Sequence, residues 1–276
     1  MLIIHCQKSM YLYPMFNRLK NITLKKLFSI SILLLIVAGC QEKESNLTFE
    51  TKSYTSSTLD FCKENICPEI EIERITAIGN QELADTINNA IEQLLIKNLD
   101  IDPDESSKIL TLEAALENFA TSYRSYKEEF PDASAEYVFT SKSTISSNTD
   151  VLLSINIDNY SYWGGAHGYG STSYLNFDKS TGKTLSTNDL IKNQTEFLKL
   201  AETKFKKQKG IAAEENINST GYFFENDEFI LPANLGFNDQ ELLLVYNPYE
   251  VASYAEGQII ITLPLDEVKE YLSIDL

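Results

Sequence analysis

Alternating hydrophobic and polar positions mark the first part of the chain beyond its N-terminal leader. Residues 48–59 alternate at period two, and residues 69–78 do so more regularly, with the sequence EIEIERITAI. Such alternation is typical of strands with one buried face. Residues 80–99 then change to helical spacing, and Asn80 stands where a helix cap is expected. The pattern predicts two strands followed by a helix.

Helical spacing continues into a second segment, over about residues 107–129, which we expect to end before Pro131. Residues 134–145 and 149–160 return to the strand pattern and are separated by a short polar turn. Grouped strands, then helices, then strands are typical of an α+β fold, because a βαβ protein alternates the two element types.

Residues 171–178 predict another strand that ends in a hairpin turn at 178–183, and residues 188–208 predict an amphipathic helix. Further strands are predicted near 221–224, 229–235, 241–246 and 257–263, followed by a short closing helix over 265–272. The fold expected is therefore α+β, with two intimately packed modules, antiparallel sheets and helices on one face.

The N-terminus has the three parts of an export signal. A basic stretch precedes the uncharged, apolar residues 27–38, and small residues then lead to Cys40. The apolar run matches a signal h-region of about 7–15 residues and is shorter than the ~20 residues that span a bilayer. The order resembles a lipobox, which predicts residues 1–39 as a signal peptide and Cys40 as the lipidated residue; the alternative is a short membrane anchor. We expect Met15 to be the true start, because residues 1–14 are an unusual prefix for a leader.

Charge excludes one class of partner. The chain has 23 Lys and Arg against 40 Asp and Glu, a net charge of −17, and hydrophobic residues make up 43% of it. Because residues 1–39 contain five basic residues and no acid, their removal leaves a net charge of −22. A nucleic-acid partner is not expected without a clustered basic surface. Such a charge keeps a protein soluble and can also attract cationic partners.

Cys62 and Cys67 lie five positions apart in the sequence FCKENICPE. In an exported protein a local disulfide is the first expectation, here closing a loop between two strands. A metal site is the alternative, but it needs further soft ligands, and His167 is the sole histidine beyond residue 39. We therefore expect a structural disulfide and no bound metal.

Residues 160–170 form a glycine-rich loop with the sequence YSYWGGAHGYG. Glycine permits sharp turns and close backbone approach, while Tyr and Trp supply rigid contact area, so the loop is a candidate ligand surface. In the alternative, the aromatic residues fill the core and the glycines only shape a hairpin. A later turn, NPYEVASYAEG, has the same two interpretations. The candidate binding residues are Tyr162, Trp163, Gly164, Gly165, His167, Tyr169, Tyr249 and Tyr254.

Motifs for catalysis are missing from the sequence. It contains no GxSxG elbow, no Walker loop, no HExxH and no EF-hand loop. A Ser-His-Asp arrangement would have to use His167, and the many acids leave room for a carboxylate pair. We expect a non-catalytic protein without a cofactor, with an envelope hydrolase as an alternative.

Three segments together are similar to known families. The sequences YWGGAHG, YLNFDKSTGKTLSTNDLI and VYNPYEVASYAEGQIIITLPLDEV resemble the C-terminal domain of RsiV-like proteins. The earlier region, with its CxxxxCP start, strand and helix, resembles the N-terminal module of the PdaC type. The resemblance covers roughly residues 48–272. It implies a PdaC-like module over 48–160 and an RsiV-like module over 161–276. The polar residues before the first module predict a lipidated tether over residues 40–47.

The resemblance also implies a class of ligand. RsiV uses its extracellular domain to recognise lysozyme, whereas the PdaC-type module accompanies a catalytic deacetylase domain. With one histidine beyond the leader, this chain cannot by itself build a two-His-plus-Asp metal site. We therefore expect a lipid-anchored envelope protein, periplasmic or surface-exposed, that binds a lysozyme-like basic protein. A peptidoglycan or other cell-wall glycan is the alternative ligand.

Overall fold

A computed structural model describes residues 47–100 and 110–276 of the chain. The predicted signal peptide, the start at Met15, the lipidation site Cys40 and all of the tether but its last residue lie outside this part. Within the described ranges, no helix is both long enough and apolar enough to cross a membrane.

A six-stranded sheet with its strands in sequence order forms the centre of the fold. Its strands are β1 Thr48–Thr55, β2 Glu69–Ile78, β3 Tyr137–Asn148, β4 Leu152–Trp163, β5 Tyr169–Asp178 and β6 Thr184–Leu185. Every neighbouring pair is antiparallel except β2 and β3, which run parallel. The exception follows from the connection, because the chain between β2 and β3 crosses over through two helices.

Those two helices cover one face of the six-stranded sheet, as expected. Helix α1, Gln81–Asn98, begins at the predicted cap, where the Asn80 side chain accepts a hydrogen bond from the Leu83 amide. Helix α2, Leu112–Glu129, is capped by Thr111 and starts five residues later than the pattern predicts. Their apolar stripes and the inner face of the sheet form a first core, which includes Ile87, Ile91, Leu116, Phe119, Phe139 and Ile155.

A three-stranded antiparallel sheet packs on the opposite face of β4 and β5. Its strands are β7 Asn234–Phe237, β8 Glu241–Tyr246 and β9 Ile259–Pro264, and the helices beside it are α3 Thr187–Leu190, α4 Gln194–Lys209 and α5 Leu265–Val268. Leu152 belongs to this second core and its neighbour Leu153 to the first, as expected for successive residues of a strand. The α+β prediction is confirmed.

The single helix expected over residues 188–208 is instead two. Helix α3 ends at Leu190, and Asn193 takes a left-handed backbone conformation, with φ 68°, immediately before α4. This conformation is incompatible with a continuous right-handed helix, so the chain turns between the two segments.

The predictions of strands at 221–224 and 229–235 are also wrong. The exception is residues 234 and 235, which are the first two residues of β7. Phe224 and Phe229 pack around Phe205 of α4, with ring centroids 5.2 and 5.6 Å away. Between them Asn226 and Asp227 have positive φ angles, which break an extended run. The aromatic residues that suggested strands are instead buried side chains of the second core.

The disulfide prediction is confirmed. Cys62 and Cys67 are bonded, with their Cα atoms 5.3 Å apart, in the loop between β1 and β2. The predicted boundary between residues 160 and 161 lies within β4, so the division of the chain into two modules stays a prediction.

Candidate functional site

A groove lies between the six-stranded sheet and the segment 247–258, which connects β8 to β9. Its floor comes from β4 and β5, whose register places Asp158 opposite Thr172 and Tyr160 opposite Gly170. Directly paired residues share one face of a sheet, so these four line a single surface. The groove has a volume of about 490 Å³ and is also lined by Asn159, Ser171, Pro248, Tyr254, Gly257 and Gln258.

Asn247 fastens the connecting segment to β5. Its side-chain Oδ1 accepts a hydrogen bond from the Thr172 amide at 2.8 Å, and its Nδ2 donates to the Thr172 carbonyl at 2.9 Å. Gln258 donates to the same Oδ1 at 3.1 Å. Because Asn247 is buried and bonded on both sides, it imitates a backbone ladder and holds the groove wall in place.

Tyr160 and Tyr254 line the groove, and three further rings lie beside Tyr254 or segment 247–258. We name these five residues the groove cluster: Tyr160, His167, Tyr169, Tyr249 and Tyr254. His167 stacks on Tyr254 with centroids 4.0 Å apart, and Tyr249 lies 5.6 Å from Tyr254. The Tyr249 hydroxyl is 3.4 Å from His167 Nε2, and His167 Nδ1 is 2.9 Å from the Gly168 carbonyl. The Tyr254 hydroxyl donates to that same carbonyl at 2.8 Å.

The groove cluster faces solvent. Tyr160, Tyr169 and Tyr249 are 41%, 38% and 54% exposed. Tyr249 also has a positive φ of 72°, which is a strained conformation for a bulky side chain. Strain of this kind persists only where the surroundings impose it, and it concentrates at ligand sites. Exposed aromatic rings on a strained turn therefore mark this end of the groove as the candidate binding surface.

Glycines of the loop have different tasks. A Cβ on Gly168 would lie 2.2 Å from the Tyr160 hydroxyl oxygen, so the ring of Tyr160 occupies the space that Gly168 leaves. Gly164 has φ +78°, and a Cβ there would lie 3.2 Å from the Tyr137 ring, whereas Gly165 faces open space. Gly168 is thus needed for the groove cluster, while Gly165 is not.

Trp163, a predicted ligand residue, lies on the other side of the sheet. Its ring meets Phe119 edge-on with centroids 4.4 Å apart and Tyr137 at 5.6 Å. With Tyr123, whose ring lies 5.2 Å from Tyr137, these residues form what we name the core cluster. The structure favours the packing alternative for Trp163, because its contacts are those of the first core.

Tyr162 stabilises its own loop, since its hydroxyl donates to the Gly165 carbonyl at 2.9 Å. Of the eight predicted binding residues, the structure brings together His167, Tyr169, Tyr249 and Tyr254. The sequence-based set of binding residues did not include Tyr160 or Asp158. The alternation of β4 was the available signal, because it places both on the face opposite to Trp163.

Electrostatics of the groove are set by carboxylates. Asp158 accepts hydrogen bonds from the Thr172 hydroxyl at 2.6 Å and from Asn156 Nδ2 at 2.8 Å. Burial raises the pKa of Glu250, which follows Tyr249 in the connecting segment, against the lowering effect of hydrogen bonds from Asn247. Burial also raises the pKa of the Tyr169 hydroxyl, with a further contribution from the charge of Glu250.

A second cavity, of about 600 Å³, lies beside β1 and contains the buried guanidinium of Arg74. That cation is already held by Glu92 at 3.0 Å and by the Asn88 carbonyl at 2.8 Å. In the described part of the chain, His, Cys, Asp and Glu form no group of three or more suited to a metal ion.

Two family models match successive parts of the chain. A model described as deacetylase PdaC matches residues 60–169, and one described as a protein of unknown function (DUF3298) matches residues 185–266. The first match contains nearly all of the glycine-rich loop, and the second contains the segment 247–258. The groove therefore combines residues of both matches.

One relative is similar to this chain over most of the chain's length. The peptidoglycan-N-acetylmuramic acid deacetylase PdaC of Bacillus subtilis (strain 168) is 23% identical over 221 residues, which cover 76% of this chain and 45% of that protein. The chain thus spans less than half the length of this relative.

Solved structures show the same fold at low identity. A crystal structure of a DUF3298 family member from Bacteroides fragilis NCTC 9343 has a TM-score of 0.65 at 18% identity, covering 84% of this chain and 96% of that one. A DUF3298 family protein from Pseudomonas aeruginosa PAO1 has a TM-score of 0.54 at 16% identity, covering 83% and 94%. The chain thus has the fold of these DUF3298 structures, and separate segments of it match the PdaC and DUF3298 models.

Proposed function

We propose that this chain is a non-catalytic cell-envelope protein whose groove binds a cell-wall glycan. The observation that carries the proposal is the pairing of exposed tyrosine rings with a polar floor in one groove. A sugar ring has apolar faces and hydroxyl edges. Aromatic side chains pack on the apolar faces of the sugar, and amide, hydroxyl and carboxylate groups form hydrogen bonds with its hydroxyl groups.

The relative of known activity supports the envelope setting. That protein is named for its action on peptidoglycan, and its similarity to this chain extends over 76% of the chain. A module that holds the cell wall is useful beside an enzyme that modifies it, and the same module on a lipid anchor would tie a membrane to the wall. Anchoring through Cys40 belongs to this proposal, and a Cys40→Ser change should release the protein from membranes.

Sedimentation with purified peptidoglycan sacculi tests the binding. The full chain in detergent should co-sediment with sacculi, and Tyr249→Ala should weaken this by about tenfold or more because an exposed anchor ring is lost. The matched control is Phe130→Ala, which removes another exposed ring, 49% accessible, at the end of α2 and outside the groove. Absence of binding by the wild-type chain, or equal loss in both variants, would rule out the groove as a glycan site.

A basic protein of the lysozyme type is the second candidate ligand, favoured by one observation. The chain without residues 1–39 has a net charge of −22, which would speed encounter with a cation by long-range attraction. Binding of this kind should weaken steeply as salt rises, whereas binding of an uncharged glycan should hardly change. Titration with lysozyme at low and high salt separates the two candidates.

A further inference from the structure

The lining of the groove contains a carboxylate and no Lys or Arg. Asp158 lies on the floor, and Glu250 of the connecting segment lies close enough to Tyr169 for its charge to act on that hydroxyl. Asp158 accepts its hydrogen bonds from Thr172 and Asn156, and both donors are neutral. They therefore orient the carboxylate and leave its negative charge in place.

One cation approaches this floor from the neighbouring strand. Lys142 of β3 is the register partner of Asp158, but its amino group bonds Glu73 at 2.9 Å. That ion pair balances itself, so the local charge contributed by Asp158 stays negative.

Aromatic rings stand beside Asp158. Tyr254 and Tyr160 line the same groove as Asp158, and Tyr249, which is 54% exposed, lies next to Tyr254. The face of an aromatic ring carries negative potential and attracts ammonium groups, by about 0.5–2 kcal/mol for each well-placed contact. Rings and carboxylates together therefore favour a cationic ligand over a neutral one of the same shape.

We propose that the groove selects a glycan whose amino sugars carry free, protonated amino groups over the same glycan in its N-acetylated form. This inference rests on the proposed glycan-binding function and adds the chemical state of the ligand. The reaction class that supplies such a glycan is hydrolysis of the N-acetyl amide. Water adds to the carbonyl carbon, the C–N bond breaks, acetate leaves and the amine takes up a proton.

Oligomers of glucosamine and of N-acetylglucosamine, matched in length, test the selectivity. Titrated into the full chain in detergent at mildly acidic pH and low salt, the glucosamine oligomer should bind about tenfold more tightly, equivalent to about 1.4 kcal/mol. Equal or tighter binding of the N-acetylated oligomer would overturn the inference and leave the proposed function standing. If the chain binds neither of the two oligomers and does not bind sacculi, the proposed function itself is wrong.

Charge variants locate the effect. Asp158→Asn and, separately, Glu250→Gln should each reduce the preference for the glucosamine oligomer, Asp158→Asn by several-fold, with affinity for the N-acetylated oligomer little changed. The matched control is Asp239→Asn, which removes the same charge from the exposed turn between β7 and β8, at the far end of β8 from the groove. If Asp239→Asn reduces the preference as much as the groove variants do, the selectivity is only long-range attraction and the inference is wrong.

Discussion

Two aromatic clusters flank the same glycine-rich loop, and they differ in what surrounds them. The core cluster joins Trp163 to Phe119, Tyr123 and Tyr137 beneath helix α2, where Phe119 and Tyr123 are almost wholly buried. In the groove cluster, Tyr160 lies on the opposite face of β4, and three of the rings are more than a third exposed. The same residue types thus serve stability on one side of β4 and are open to a ligand on the other.

The difference teaches that composition alone does not identify a binding surface. Trp163, with the largest ring in the loop, contributes to packing, while the smaller Tyr160 three positions earlier faces the groove. A change in the core cluster should therefore act on unfolding, and a change in the groove cluster should act on binding.

The largest effect is expected from Phe119→Ala in the core cluster. Phe119 is fully buried, so its truncation should lower the free energy of unfolding by about 3–5 kcal/mol through the lost contacts and the cavity left behind. Urea denaturation measures this value. Glycan affinity of the folded fraction should not change, and a large loss of affinity at full folding would contradict the separation of the two clusters.

For Tyr249→Ala in the groove cluster we expect the opposite result, a loss of binding with little loss of stability. Loss of this exposed ring should weaken glycan binding by about 2 kcal/mol, or about 30-fold, while the free energy of unfolding changes by less than about 1 kcal/mol. Calorimetric titration and urea denaturation of the same preparation give both numbers. A variant that unfolds more easily yet binds normally would show that Tyr249 belongs to the packing and not to the site.

Removal of the disulfide tests whether the core side can be loosened without harm to the groove. The bond closes a loop of only five positions, so Cys62→Ser with Cys67→Ser should cost at most about 2 kcal/mol of unfolding free energy. Thermal unfolding of oxidised wild type and the double variant measures the cost. Complete loss of folding would mean that the bond does more than constrain the unfolded chain.

A pair of glycine variants examines how the groove cluster is held. Gly168→Ala should push the Tyr160 ring out of its preferred rotamer, at a cost of about 0.5–1.5 kcal/mol, and weaken glycan binding by a similar amount. Gly165→Ala is the control, because a Cβ there meets nothing within 4 Å. Equal affinities for the two variants would indicate that the position of Tyr160 does not matter to binding.

The smallest effect concerns pH. Because the folded-state pKa of Glu250 is raised above its usual 4.5, the folded state binds more protons than the unfolded state just above that pH. The stabilisation that protonated Glu250 contributes is therefore fully present below about pH 4.5, and it is lost as the pH rises through the folded-state pKa. Glu250→Gln should remove this loss, so its melting temperature relative to wild type should rise from pH 4 to pH 7; a constant difference would contradict the assignment.

Local pattern was sufficient for much of the fold. Strict alternation over residues 69–78 predicted β2, and the apolar stripe behind Asn80 predicted α1, because each element buries a face that its own periodicity defines. The short spacing of Cys62 and Cys67 likewise predicted their bond. Side-chain period and capping act within a few residues, so the sequence alone reveals them.

Tertiary structure decided everything that depends on distant partners. The alternation of β4 places Tyr160 and Trp163 on opposite faces, but only the packing of α2 on one face and the approach of segment 247–258 to the other decide which ring is buried. The same holds for Phe224 and Phe229, which fill the space around Phe205 and form no strand. The groove exists because Asn247 is bonded to Thr172, 75 positions away, and no local periodicity encodes such a contact.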